Sequence, residues 1–105
     1  MAYADGMTQV ESTRTDSVVS AVQIRVTLLL FASVAEAIGE RRRDLVLPAG
    51  TTPRDVFEML VRERPQLARL REIVSFARNR EFAGADTILA DGDELAVIPP
   101  VAGGA

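Results

Sequence analysis

The sequence predicts an α+β domain in which a mixed sheet of about four strands packs against one main helix, in the order β-β-α-β-β. Two apolar segments of strand length, residues 24–31 and 94–98, stand at the two ends of the domain, and a helix with a sharply marked start lies between them. Pro, Gly or Asp-Gly separates each segment from the next. The 105 residues, 48% of them apolar, suffice for one small core and not for a second.

Residues 1–22 mix Ser, Thr, Asp and Ala with neither a helical nor a strand period, and are expected to form a mobile extension before a domain spanning residues 23–100. Ile24-Arg25-Val26-Thr27-Leu28-Leu29-Leu30-Phe31 is apolar and partly β-branched, which predicts a well-buried first strand. Ser33 and Glu36 have capping-box spacing, so a short helical turn is expected through Ala37, stopped by Gly39. The charged stretch 40–44 leads into Leu45-Val46-Leu47, a second strand ended by Pro48 and Gly50 and expected to pair antiparallel with the first.

Thr51-Thr52-Pro53 is the clearest helix start. The Thr52 side chain can accept from the free amides of a first turn, and Pro53 lacks an N–H that would otherwise go unsatisfied. Asp55 complements the positive end of the helix dipole. Val56, Phe57, Leu60 and Val61 form one apolar stripe, with Arg54, Asp55, Glu58, Arg62 and Glu63 outside it, so one helix face packs on a sheet. Pro65 ends or interrupts the helix, and Leu67, Leu70 and Ile73 are expected to continue the core through a second short helical piece. Residues 74–79 predict a central strand, with Phe82 as the anchor of the polar stretch to Asp86. Thr87-Ile88-Leu89 then precedes an Asp91-Gly92 turn signal, and Glu94-Leu95-Ala96-Val97-Ile98 forms the last strand before Pro99.

First and last strands in such an order lie side by side and parallel at the sheet centre, with the helix across one face and hairpins at the edges. This is the β-grasp, or ubiquitin-like, arrangement. The same two strands are the most apolar, which predicts burial on both of their faces.

No apolar run reaches the roughly 20 residues of a membrane span, and the N-terminus lacks the basic-then-apolar pattern of a secretory signal. A cytoplasmic protein without a membrane partner is expected. The formal charge is −3, and three acids with one arginine in the first 22 residues leave the rest near neutral, which argues against a nucleic-acid partner. Cysteine, histidine and lysine are absent, the twelve basic residues all being arginines. Thiol nucleophiles, disulfides and common soft-metal sites are thereby excluded, and acid–base work falls to carboxylates or Tyr3. A chain without ε-amines is also a poor acceptor of its own activated carboxyl end.

The chain ends Pro99-Pro100-Val101-Ala102-Gly103-Gly104-Ala105. Two glycines beyond a Pro-Pro stop predict a thin, flexible tail, residues 101–105, whose backbone enters places that a Cβ would block. Leu29-Leu30-Phe31-Ala32 with Ala35-Glu36-Ala37-Ile38-Gly39, the run ADGDELAVIPPV over residues 90–101, and the Gly103-Gly104 pair stand in one register. With these motifs, residues 24–104 resemble the small, sulfur-carrying subunit of molybdopterin synthase, a MoaD-type, ThiS-like family of ubiquitin-like proteins.

The resemblance implies a carrier subunit that is not an enzyme alone, holds no metal and binds no cofactor permanently. Gly104 is implied as the reactive position, first an acyl-adenylate made with ATP by a ubiquitin-activating-like adenylyltransferase, then a thiocarboxylate. The loaded tail is implied to enter the large subunit of molybdopterin synthase, in a heterotetramer, and pass sulfur to cyclic pyranopterin monophosphate. Pro99 and Pro100 would restrict the tail's base, so that less entropy is lost on docking, while Val101, Ala102 and Gly103 would contact the channel. Ala105 departs from the family's working form, which ends at the second glycine: either a protease removes it, or it stays and the chain is an inactive or non-sulfur variant. Similar carriers serve thiamine, cysteine or tRNA thiolation, and a ubiquitin-like modifier or interaction module is the alternative of a different class.

Other constellations have plainer readings. Asp91, Asp93 and Glu94 suit a hairpin turn or partner docking rather than a divalent ion, and Arg41, Arg42 and Arg43 a solvated approach to a strand. Phe31, Phe57 and Phe76 are expected in the core.

Overall fold

The computed structural model describes residues 22–100. The expectations for an N-terminal extension and a C-terminal tail concern residues 1–21 and 101–105, which lie outside the described residues. The elements run β1 (Gln23–Leu30), α1 (Ala32–Ile38), β2 (Arg42–Pro48), α2 (Pro53–Glu63), a 3₁₀ helix (Pro65–Leu70), β3 (Ser75–Arg78), β4 (Glu81–Ala83) and β5 (Asp93–Ile98). They build one mixed sheet of order β2-β1-β5-β3-β4. β1 and β5 pair in parallel in the middle and every other pairing is antiparallel, as a β-grasp requires.

Strand alternation decides what is inside. In β1, Ile24, Val26, Leu28 and Leu30 are buried while Arg25, Thr27 and Leu29 point the other way. Leu95 and Val97 of β5 join them, and α2 lays Val56, Phe57, Leu60 and Val61 over this face. The start of α2 is as its sequence demands. Thr52 Oγ1 accepts from the Asp55 amide at 3.2 Å, the Asp55 carboxylate accepts from the Thr52 amide at 3.0 Å, and Pro53 takes the first turn. Phe57 meets Phe76 of β3 edge-on, with ring centroids 6.4 Å apart.

Several expectations need correction. The sheet has five strands rather than about four, because the short β4 returns on β3 with Arg78 opposite Glu81 and only Asn79 and Arg80 between. β3 is interior but not central; β5 holds the middle. Phe82 anchors no loop: it lies on edge strand β4 opposite Ala77 and is 81% exposed. Ser33 does not cap α1. The helix begins at Ala32, two residues earlier than a Ser33 cap requires, so Phe31 occupies the cap position and its carbonyl accepts from Val34 and Ala35 at 3.1 and 3.2 Å. Gly39 does stop α1, at φ 92°, a conformation that L side chains resist.

After the 3₁₀ helix, which buries Leu67 and Leu70, the amides of Ile73 and Val74 both fold back onto the Leu70 carbonyl. That turn brings Val74 against the core and leaves Ile73 exposed, contrary to expectation. The Asp91-Gly92 turn forms, with Gly92 at φ 89°, but it is no hairpin: an irregular segment precedes it, and the strand it starts runs parallel to β1.

Candidate functional site

The parallel pairing of β1 and β5 sets Leu30 beside Val97, so both strands end at the same edge of the sheet. Phe31 and Pro99 therefore follow the two strands at the same end of the sheet. Pro99 is buried, and Pro100, the last described residue, is exposed. These two are the sequence-predicted site residues within the described range; Val101, Ala102, Gly103 and Gly104, like Ala105, lie outside it.

What the sequence did not reveal is the surface beside Pro99. Register aligns Leu29 of β1, Ala96 of β5, Ala77 of β3 and Phe82 of β4 in one row across the face opposite α2. The two alanines make a low floor between larger neighbours, forming a groove of about 410 Å³ that Phe31, Ile98, Arg80 and Glu94 complete. The predicted two-sided burial of the central strands is thus half right. Their inner face is covered, whereas among the described residues nothing covers the outer one, where Leu29, Ala96 and Ile98 keep intermediate exposure.

Phe31, expected in the core, is 46% exposed on this face. The cause is local. Ala32 adopts φ 48°, the left-handed region that an alanine occupies only at a cost, and the chain turns there abruptly from strand into helix. The turn directs Val34 and Ile38 inward and leaves the Phe31 ring outside, between the sheet groove and a second hollow bounded by Ala35, Glu36 and Arg41. A sequence signal did exist for this face: Leu29, Ala96 and Ile98 are apolar on the phase that alternates with the buried one, near the C-terminal ends of both strands.

The charged clusters resolve differently. The Asp91 carboxylate accepts from the Arg25 amide at 2.8 Å, and Asp93, buried, accepts from the Ala90 amide at 2.7 Å and Asn79 Nδ2 at 2.9 Å. Both carboxylates brace the turn into β5, and only Glu94 of the three borders the groove. Arg42 and Arg43 belong to β2 itself rather than to its approach. Arg43 donates to Glu63 at 2.6 and 3.0 Å and to Glu40 at 2.8 Å, tying β2 to α2. The bidentate Arg43 contact holds the Glu63 carboxyl below its ordinary pKa, and the same hydrogen bonds raise that of Arg43. This arginine is committed to the fold. Among the described residues no helix is long and apolar enough to cross a membrane, and no three acidic side chains gather as metal ligands would.

Residues 28–104 match the model of the ThiS family. Over 98 residues the chain is 36% identical to a molybdopterin synthase sulfur carrier subunit of Arabidopsis thaliana, covering 93% of this chain and 96% of that one. A protein of the same name from Mycobacterium tuberculosis is 39% identical over 82 residues, covering 77% and 99%. Among solved structures, SAMP1 from Haloferax volcanii superposes with a TM-score of 0.64 at 33% identity, over 76% of this chain and 99% of that one. With the family match spanning most of the β-grasp domain and running through both glycines, this chain belongs to the ThiS family.

Proposed function

We propose that the protein is the sulfur carrier of a molybdopterin synthase. The observation that carries this reading is the apolar outer face of β1 and β5, uncovered among the described residues and continuous with the exit of the chain at Pro99. A partner seated on that face receives the C-terminal segment directly. The names of the relatives from Arabidopsis and Mycobacterium support the choice of pathway.

In this reading a protease first removes Ala105. An adenylyltransferase then joins the Gly104 carboxylate to the α-phosphate of ATP, releasing pyrophosphate, and a sulfur nucleophile displaces AMP from the acyl carbon to leave a thiocarboxylate. The sulfur is held by the main chain, which suits a protein without cysteine. The large subunit of the synthase docks on the groove, and the thiocarboxylate gives its sulfur to cyclic pyranopterin monophosphate.

Intact-mass measurement on protein from its own cells tests the chemistry. The expected result is loss of Ala105 with exchange of one oxygen for sulfur; an alanyl end that persists in active cells, with sulfur never attached, overturns it. Deleting Gly104 and Ala105 should abolish product formation and leave Tm unchanged. The likeness to SAMP1, which is a small archaeal modifier protein, favours one second reading, attachment to lysines of other proteins. A lasting amide in the same mass measurement would identify it.

A further inference from the structure

Arg80 is the least economical residue of the described domain. It shares with Asn79 the two-residue turn between β3 and β4, where both residues need positive φ, 52° for Asn79 and 73° for Arg80. Asn tolerates this region; Arg does not, and Gly is the usual choice at the second position. The Arg80 side chain gains little within the domain in return. The Arg80 side chain is 90% exposed, and its ion pair with Glu94 spans 4.0 Å. By contrast, Arg54 and Arg71 hydrogen-bond their carboxylates at 3.0 and 2.7 Å.

The turn is nevertheless held rigidly. The Asn79 amide donates to the Glu94 carbonyl at 2.8 Å, Asn79 Nδ2 to Asp93 at 2.9 Å, and the Glu94 amide to Asn79 Oδ1 at 2.9 Å. These bonds latch the turn to β5 and hold Arg80 at the rim of the groove floored by Ala77 and Ala96. A strained residue over-determined by its surroundings and unused by its own fold points to function elsewhere.

We infer that Arg80 is a specificity-determining residue of the groove, pre-organised to pair with a carboxylate on the protein that docks there. This rests on the reading of the outer face as the large subunit's docking surface. A carboxylate fits better than a phosphate, because Glu94 beside the guanidinium repels a dianion more strongly than a monoanion. Bidentate pairing with a planar carboxylate uses the donors that Glu94 leaves free.

The test measures the affinity of the full chain for the purified large subunit of the same organism, at low and high salt, with Tm of the free chain alongside. Arg80→Gly should raise Tm by relieving the strain, weaken binding about tenfold and flatten its salt dependence. Arg80→Lys should retain the salt dependence and recover only part of the affinity. An Arg80→Gly chain that binds as tightly as the parent, with the same salt dependence, overturns the inference. Phe31→Asp separates it from the docking reading: if that variant also binds undiminished, the surface itself is misassigned, whereas loss with Phe31→Asp alone leaves the surface standing and removes only the role of Arg80.

Discussion

Both faces of β1 and β5 carry apolar side chains, and the two meet opposite fates. Leu28, Leu95 and Val97 are fully buried beneath α2, while Leu29, Ala96 and Ile98, one residue away along the same strands, stay partly open. On the inner face large side chains interlock with Val56, Phe57 and Leu60; on the outer face two alanines leave a trough. The difference teaches that hydrophobicity alone does not identify a core. The inner face is covered within the chain itself, whereas among the described residues the outer face keeps its apolar area open.

The sharpest way to probe the comparison is Phe57→Ala. Phe57 is 2% exposed and packs edge-on against Phe76, so its loss should cost about 3–5 kcal/mol, a large share of a small domain's stability. Urea unfolding measures this, and a loss below about 1 kcal/mol would mean that the inner face is not the stabilising one. Phe31→Asp should do the reverse. Stability should hold or rise by about 1 kcal/mol, because Asp at the cap position of α1 can accept from the first-turn amides, while affinity for the large subunit falls about a hundredfold. An unfolded Phe31→Asp chain would show the outer face to be a second core, and the contrast would collapse.

The smallest effect concerns the ion pairs around α2. Hydrogen bonds from Arg43, Arg71 and Arg54 hold the carboxyls of Glu63, Glu58 and Asp86, respectively, below their ordinary values. A carboxyl whose folded pKa is depressed contributes stability above its unfolded value, about 4, and loses it as pH falls through the folded value. Denaturation midpoints should therefore be flat around neutrality, where a chain without histidine or cysteine has no side chain of ordinary pKa to titrate, and should fall only below about pH 4. The fall should be slight, because these pairs are solvent-exposed. A steep loss already at about pH 6 would mean that a titrating group in the core outweighs them.

Local signals proved legible where the responsible interaction is itself local. Thr52, Pro53 and Asp55 lie within one helical turn, and their capping box follows from short-range geometry. Gly39 likewise ends α1 as its sequence suggests. Failures came where the backbone takes an unusual turn that residue types do not announce, or where pairing with another strand decides. Ser33 has the spacing of a cap, yet the left-handed turn at Ala32 starts the helix earlier. Phe31 reads as the last residue of an apolar strand until α1 occupies the inner face and leaves its ring outside. Phe82 gave no strand signal, since a three-residue edge strand exists only by pairing with β3. Of the candidate site, Pro99 and Pro100 were readable from the PPV and diglycine motif, whereas the groove was not.

The sequence by itself determined the order of the elements other than β4, the apolar stripe of α2, the absence of thiol and imidazole side chains and the diglycine pair, because each depends on residue identity or on spacing within a few positions. Tertiary structure alone decided that Leu29, Ala96, Ala77 and Phe82 form one row beside the exit at Pro99. Those residues come from four strands, and a one-residue slip in any pairing would send that strand's side chain to the other face. Register between distant segments is set by the packing of the whole domain, which no single stretch of the chain contains.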